Sequence, residues 1–230
     1  MIRLHVVAEG QTEEEFVNSV LADHLGAFDV STDVRCVETS RDKRKIYRGG
    51  MLDYSRAKKD LTRWMREDRR PDAVFTTMFD LYALPEDFPE YAAARAHADV
   101  YRRVHALEVA FAGDVGEHRF IPYLQVHEFE ALLLSDPACF RARFHEREPG
   151  IENLITLCNG FPSPELIDDG PKTAPSKRII AEIPEYEGQK ASAGPLLAAK
   201  IGLGAIRRRC PHFDEWLSRL EGLQVSRQQG

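Results

Sequence analysis

The 230-residue chain carries 31 Lys+Arg against 37 Asp+Glu, a net charge of −6, with 43% hydrophobic and 30% charged residues. That composition supplies a sizeable core and excludes a collagen-like repeat, a long disordered tail and a disulfide scaffold. No stretch approaches the roughly 18 apolar residues that a membrane span needs. The opening MIRLHVVAEG lacks the layout of a signal peptide, so the chain is expected in the cytoplasm with no membrane partner.

Cys36, Cys139, Cys158 and Cys210 form no C-x-x-C pair, so neither a zinc knuckle nor a redox motif is read from them, and buried free thiols are expected. Charge is distributed unevenly: residues 41–70 sum to +7 and residues 172–230 to +4, which leaves −17 elsewhere. Basic sections flanking an acidic body suit a protein that holds phosphates with one part and cations with another. Solvated helix faces would give the same pattern.

Ile2 to Ala8 (IRLHVVA) is a short apolar run bounded by Glu9-Gly10 and reads as a buried strand. Thr12-Glu13-Glu14-Glu15 follows as a capping box, in which the Thr12 hydroxyl and Glu15 carboxylate satisfy amides at a helix start. Phe16, Val20, Leu21 and Leu25 continue that helix along one face. Val30 to Val37 is a second strand, followed by the basic loop RDKRKIYRGG. Tyr54, Ala57, Leu61, Trp64 and Met65 recur at helical spacing until about Arg69, and Pro71 marks the end. Ala73 to Phe79 (AVFTTMF) is the clearest strand and delivers Asp80 at its C-terminal end. After the proline-rich loop LYALPEDFPEY, a long helix is expected from Ala92 to Phe111, with Val100, Val104, Leu107 and Phe111 on one stripe. Arg119 to Val126 (RFIPYLQV) is a further strand in which Pro122 marks an edge position or a bulge, and it ends in His127-Glu128-Phe129-Glu130.

This β-α-β-α-β-α-β order predicts an α/β fold with a mainly parallel sheet flanked by helices over residues 1–135. After Ser135-Asp136-Pro137 the pattern changes to short helices separated by Gly and Pro: Cys139 to Phe144, Ile151 to Phe161, Pro175 to Ile183 and His212 to Leu220. Residues 136–230 therefore read as a helical C-terminal extension packed on the core, frayed from Ser226 to Gly230.

Ligands in open α/β sheets collect beyond the carboxyl ends of the strands. Glu9, Asp80, and Glu128 with Glu130 fall at three such ends. Carboxylates within about 4 Å of one another repel by several kcal/mol at an effective dielectric of about 20, so such a cluster needs a cation or shared protons. Mg²⁺ suits it, preferring oxygen ligands and keeping positions for water and phosphate. Metal-assisted phosphoryl chemistry is the functional expectation. Each acid also has a local explanation: Glu9 as a turn cap, Asp80 as a turn start before Pro85, Glu128 and Glu130 as acids at a helix N-terminus. Lys172, Lys177 and Arg178 precede or open a helix, where cations could contact a phosphate and Lys177 could assist its transfer. His127 is a candidate proton shuttle or a satisfied histidine at a strand end. Arg207-Arg208-Arg209 reads as a solvated helix end.

The blocks Ala8-Glu9-Gly10-Gln11-Thr12-Glu13, Thr76 through Pro85, Arg119 through Tyr123 running to His127-Glu128-Phe129-Glu130-Ala131-Leu132-Leu133, Asp169 through Arg178, and Cys210-Pro211-His212-Phe213 with Trp216 resemble an uncharacterised bacterial family, domain of unknown function number four-two-seven-six, considered a relative of the Toprim domains. The resemblance spans nearly the whole chain. It implies a Toprim-like fold and a site in which a glutamate after the first strand and an Asp-x-Asp after the third hold Mg²⁺ (or Mn²⁺) for phosphodiester cleavage or transfer. Glu9 and Asp80 match those positions; Tyr82 stands where the second aspartate would, which leaves Glu128 and Glu130 as substitutes. It also implies a phage-defence setting and a partner ATPase of the ATP-binding-cassette type.

Other motifs fail. His127-Glu128-Phe129-Glu130-Ala131 is not H-E-x-x-H, Gly202-Leu203-Gly204 lacks the third glycine of a dinucleotide site, and neither G-x-x-x-x-G-K-[ST] nor Gly-x-Ser-x-Gly occurs. The leading expectation is a Toprim-like, Mg²⁺-dependent nuclease or nuclease subunit acting on nucleic acid, DNA ahead of RNA. The alternative is a degenerate, non-catalytic module that binds nucleotide or nucleic acid or regulates a partner ATPase. Whether the chain forms a homodimer stays open.

Overall fold

In the computed structural model, residues 1–37, 53–167, 170 and 172–224 are described. The loop RDKRKIYRGG, Asp169 and Pro171 of the 169–178 run, and the end 226–230 lie outside them. Strand β1 (Ile2–Ala8) lies between β2 (Val30–Cys36) and β3 (Ala73–Asp80), and β3 carries the short β4 (Phe120–Ile121) and β5 (Leu124–Gln125) on its far side; every pairing is parallel. The order β2-β1-β3-β4 sends the chain to one side of β1 and then to the other, which opens a crevice at the carboxyl ends of β1 and β3. Ala8 lies opposite Met78, so Glu9 and Asp80 emerge at the same edge.

A parallel sheet needs both faces covered, and the two-residue period of β1 divides its side chains between two cores. Ile2, Leu4 and Val6 pack with Phe16, Leu21 and Leu25 from helices α1 (Gln11–Phe16) and α2 (Ala22–Gly26) and the π-helical turns Val17–Leu21 that join them. Val7 joins Phe75 and Phe79 beneath α3 (Tyr54–Glu67) and α5 (Val100–Val115), which contribute Leu61, Trp64, Leu107 and Phe111. Each fully buried Leu or Phe stabilises by about 1.5–3 kcal/mol. The five α3 positions expected to be apolar are the five that are buried, and Asp53 caps the helix by accepting from the Ser55 and Arg56 amides.

The remaining helices are α4 (Tyr91–Ala94), α6 (Glu130–Leu133), α7 (Glu148–Asn159), α8 (Pro175–Glu182), α9 (Lys190–Ile201), α10 (Leu203–Arg209) and α11 (Pro211–Glu221). Those after Asp136 cover the first core. Helix α9 runs close against α1: a Cβ on Gly194 would meet Phe129 at 3.1 Å and Thr12 at 3.2 Å, so the glycine sets how near the helices lie.

Several expectations need correction. The first helix starts two residues earlier than the Thr12–Glu15 box implies: Gly10 is its N-cap, and the Glu13 carboxylate accepts from the Gly10 amide at 3.0 Å. The Ala92 to Phe111 helix is two, because Asp99 accepts from the Arg102 amide at 2.8 Å and caps a new helix. The strand RFIPYLQV is interrupted: Pro122 has no N–H to give the ladder, and the Thr77 hydroxyl takes over by accepting from Tyr123 N at 3.1 Å and donating to Tyr123 O at 2.9 Å. Cys139 to Phe144 falls largely in a 3-10 helix, Pro137–Ala142. Cys158 and Cys210 are buried, whereas Cys36 and Cys139 are only partly so.

Candidate functional site

The crevice at the ends of β1 and β3 is where the predicted acids meet. Asp80 is the last residue of β3, and its amide donates to Glu9 Oε2 at 2.9 Å. Its carboxylate Oδ1 accepts from the Phe129 amide at 3.0 Å, and Tyr82 N donates to the His127 carbonyl at 2.8 Å. Two bonds thus stitch the 127–129 loop to the end of β3. This clamp aims Glu128 and Glu130 back into the crevice, where both are buried. His127, also buried, holds φ at 62°, a left-handed conformation uncommon for a residue with a side chain.

Each acid is tethered through one oxygen. Glu128 Oε1 accepts from the Ser176 amide at 3.1 Å and the Ser176 hydroxyl at 3.0 Å, at the start of α8. Glu130 Oε1 accepts from the Tyr186 hydroxyl at 3.3 Å and pairs with Lys190 Nζ at 3.0 Å. Glu13, read from sequence only as part of a cap, joins this group from α1, buried at 6% exposure.

The electrostatics follow from crowding carboxylates in a water-poor place. Asp80 is raised well above the ordinary carboxylate range by burial, then by the charges of Glu9, Glu13, Glu128 and Glu130. Burial, with Glu9 and Glu130, pushes Glu13 up to about 8. Burial also raises Glu130, opposed by Lys190 and reinforced by Glu128. Burial pulls the Lys190 ammonium down, but Glu130, Glu128 and Asp80 together hold it above its ordinary value. Beside them, burial and the neighbouring Glu14 push the Cys36 thiol up to about 12, which leaves it protonated.

The donor set is all carboxylate oxygen, the chemistry a hard divalent cation prefers. With Oδ1 of Asp80 and Oε1 of Glu128 engaged in tethers, the second oxygen of each is the one available to a ligand. As the side chains stand, no three His, Cys, Asp or Glu groups among the described residues are gathered as a ligand set. Donor type and mutual repulsion fit a cation; closing a coordination sphere would take side-chain rotations.

Of the residues singled out from sequence, Glu9, Asp80, Glu128 and Glu130 are brought together. Lys177 follows Ser176 in α8 but is exposed and pairs with none of these acids, and Lys172 is likewise exposed. Arg178 is half-buried and donates to the Thr173 carbonyl at 2.8 Å, an anchor for the turn before α8. Tyr82 lies in the 3-10 turn Leu81–Ala83 with 43% of its surface exposed and adds no acid. Sequence reasoning missed Glu13, Ser176, Tyr186 and Lys190. Only Glu13 had a local signal, a glutamate three residues after Gly10.

No curated protein and no solved structure matches the chain. The family model described as Domain of unknown function (DUF4276) matches residues 8–221, a span that includes every acid of the crevice and Lys190, and the chain belongs to that family.

Proposed function

We propose that this chain is a Toprim-like, Mg²⁺-dependent nuclease, or the nuclease subunit of an assembly, that acts on nucleic-acid phosphodiesters. The observation that carries the reading is the joining of Glu9 and Asp80 across the ends of β1 and β3, with Glu128 and Glu130 turned into the same crevice. Those four carboxylates would hold Mg²⁺ or Mn²⁺. When bound, such an ion polarises a phosphate oxygen and lowers the pKa of a coordinated water. Asp80 fixes the 127–129 loop through the Phe129 amide, and Ser176 orients Glu128. Lys177, exposed next to Ser176, and the exposed Lys172 would meet the phosphate backbone, Arg178 would steady the turn before α8, and His127, buried next to Glu128, would pass a proton. DNA is the preferred substrate over RNA. A partner ATPase of the ATP-binding-cassette type, a role in phage defence and a cytoplasmic setting are proposed from the family resemblance alone.

A second reading, a degenerate module that binds nucleotide or nucleic acid or regulates its partner without cleaving, is favoured by one observation. Tyr82 occupies the position of the second aspartate, and its exposed ring offers the cation nothing.

The test is cleavage of single- and double-stranded DNA and of RNA with Mg²⁺ or Mn²⁺, alone and with a co-expressed ATPase from the neighbouring gene. Glu9→Gln and Asp80→Asn should each lower cleavage by at least about a hundredfold, on the order expected for loss of a group acting at the reaction centre, while circular dichroism stays unchanged. Equal rates for native protein and both variants would rule out cleavage at this site. Metal-independent binding with a steep salt dependence would then favour the second reading.

A further inference from the structure

Lys190 pairs with Glu130 of the crevice, and three features of its placement are unusual. It is the first residue of α9, where the helix dipole disfavours a cation. Its ammonium lies 3.0 Å from Glu130 Oε1 and faces Glu128 and Asp80 as well. Its side chain is 33% exposed whereas that of Glu130 is 5% exposed, so the lysine can withdraw to water and the glutamate cannot. The dipole argues against a cation here, and only the acids explain it. Glu130 is fixed besides by the Tyr186 hydroxyl, and α9 lies so near α1 at Gly194 that a Cβ there would meet Phe129 and Thr12.

We infer that Lys190 is a displaceable counter-ion that competes with the divalent cation for Glu130 and so sets the affinity of the site for metal. This rests on the reading of the crevice as a cation site and adds its regulation. With no divalent ion bound, the ammonium offsets part of the repulsion among Glu128, Glu130 and Asp80. An arriving divalent ion takes Glu130, and the long flexible side chain swings outward without disturbing the buried acid. Lys190 acts through Glu130 and is a positioning residue in this sense.

The experiment measures Mn²⁺ binding by the full chain with calorimetry or electron spin resonance, comparing native protein with Lys190→Met and Lys190→Arg. Lys190→Met keeps the aliphatic stem and loses the charge. It should bind Mn²⁺ roughly fivefold or more tightly, a difference such measurements resolve, and should melt at a lower temperature than native protein in chelator; Lys190→Arg should stay near native affinity. An independent readout uses native protein alone: acylation of Lys190, followed by peptide mass spectrometry, should speed up as Mn²⁺ is added. Unchanged Mn²⁺ affinity in Lys190→Met, or labelling of Lys190 indifferent to Mn²⁺ while the ion binds, overturns the competition and leaves the cation site standing. Absence of Mn²⁺ binding in native protein and Lys190→Met alike overturns the cation site and the competition together.

Discussion

Burial drives the Glu13 carboxyl up to about 8, with the charges of Glu9 and Glu130 adding to it. In the unfolded chain the group titrates near its ordinary value of 4.5, so between these two values the folded state holds a proton that the unfolded state has released. Stability from this group is therefore fully present below about 4.5 and is lost as pH rises through about 8. In chelator, melting temperature should fall as the buffer crosses that window, and Glu13→Gln should flatten the fall, gaining on the native protein by on the order of 1–3 kcal/mol at the alkaline end. Asp80 and Glu130 are raised by burial too and tilt stability the same way, so the difference between variant and native melts, not the slope itself, isolates Glu13. Parallel curves at every pH would show that Glu13 does not titrate as described. Glu9 and Asp80 could be read from sequence because an apolar run ending in an acid marks a strand end. Glu13 could not, since an acid among three at a helix start reads as solvent-facing until Gly10 is known to be the cap. Lys190 gave no signal, because its charge has meaning only beside Glu130, which the fold alone brings near.

Backbone ladders join β3 to β4 and to β5, and one side chain bridges the break between them. Where Pro122 breaks the ladder, Thr77 Oγ1 both accepts from and donates to the Tyr123 backbone, and these groups are buried. Thr77→Val is nearly the same shape but leaves the Tyr123 N–H and C=O without a partner, each costing about 1–3 kcal/mol. A loss of roughly 2–4 kcal/mol in urea unfolding is expected, whereas Thr77→Ser should keep most of the native stability. A Thr77→Val variant as stable as native protein would mean that the break is bridged otherwise. Strands β1 and β3 and helix α3 were legible because period and burial agree along them, as with Tyr54, Ala57, Leu61, Trp64 and Met65. The break in RFIPYLQV was half legible: Pro122 flags it, but a threonine inside AVFTTMF reads only as a strand former, with nothing to announce that its hydroxyl bridges a gap. The new start at Asp99 was masked by the alanine-rich run of residues 92–98 before it, whose helix propensity gives no sign of a break.

Across the whole molecule, the first core is shared rather than local. Ile2, Leu4 and Val6 of the sheet and Phe16 of α1 pack in one body with Phe140, Ile151, Ile179, Tyr186, Leu197, Phe213 and Leu217, all from beyond residue 136. Polar ties reinforce it: Trp216 Nε1 donates to Thr76 Oγ1 at 3.0 Å, and fully buried Glu165 accepts from the His212 and Phe213 amides at 3.1 Å while taking the Tyr101 hydroxyl at 3.2 Å. The crevice is equally shared, since Ser176, Tyr186 and Lys190 hold acids that arrive from residues 1–135. A fragment ending at residue 135 would expose an apolar face far larger than the few hundred Å² a soluble monomer tolerates and leave Thr76 without its indole partner. It should therefore be expressed as a loosely packed or aggregating species, with weak near-ultraviolet circular dichroism and strong binding of a hydrophobic dye. Co-expressing residues 136–230 as a separate chain should restore a sharp unfolding transition, because the missing face is then supplied in trans. A fragment 1–135 that unfolds cooperatively by itself would show that the C-terminal helices only decorate the sheet, and the tethers on Glu128 and Glu130 would then be dispensable for folding, to be judged by metal binding alone.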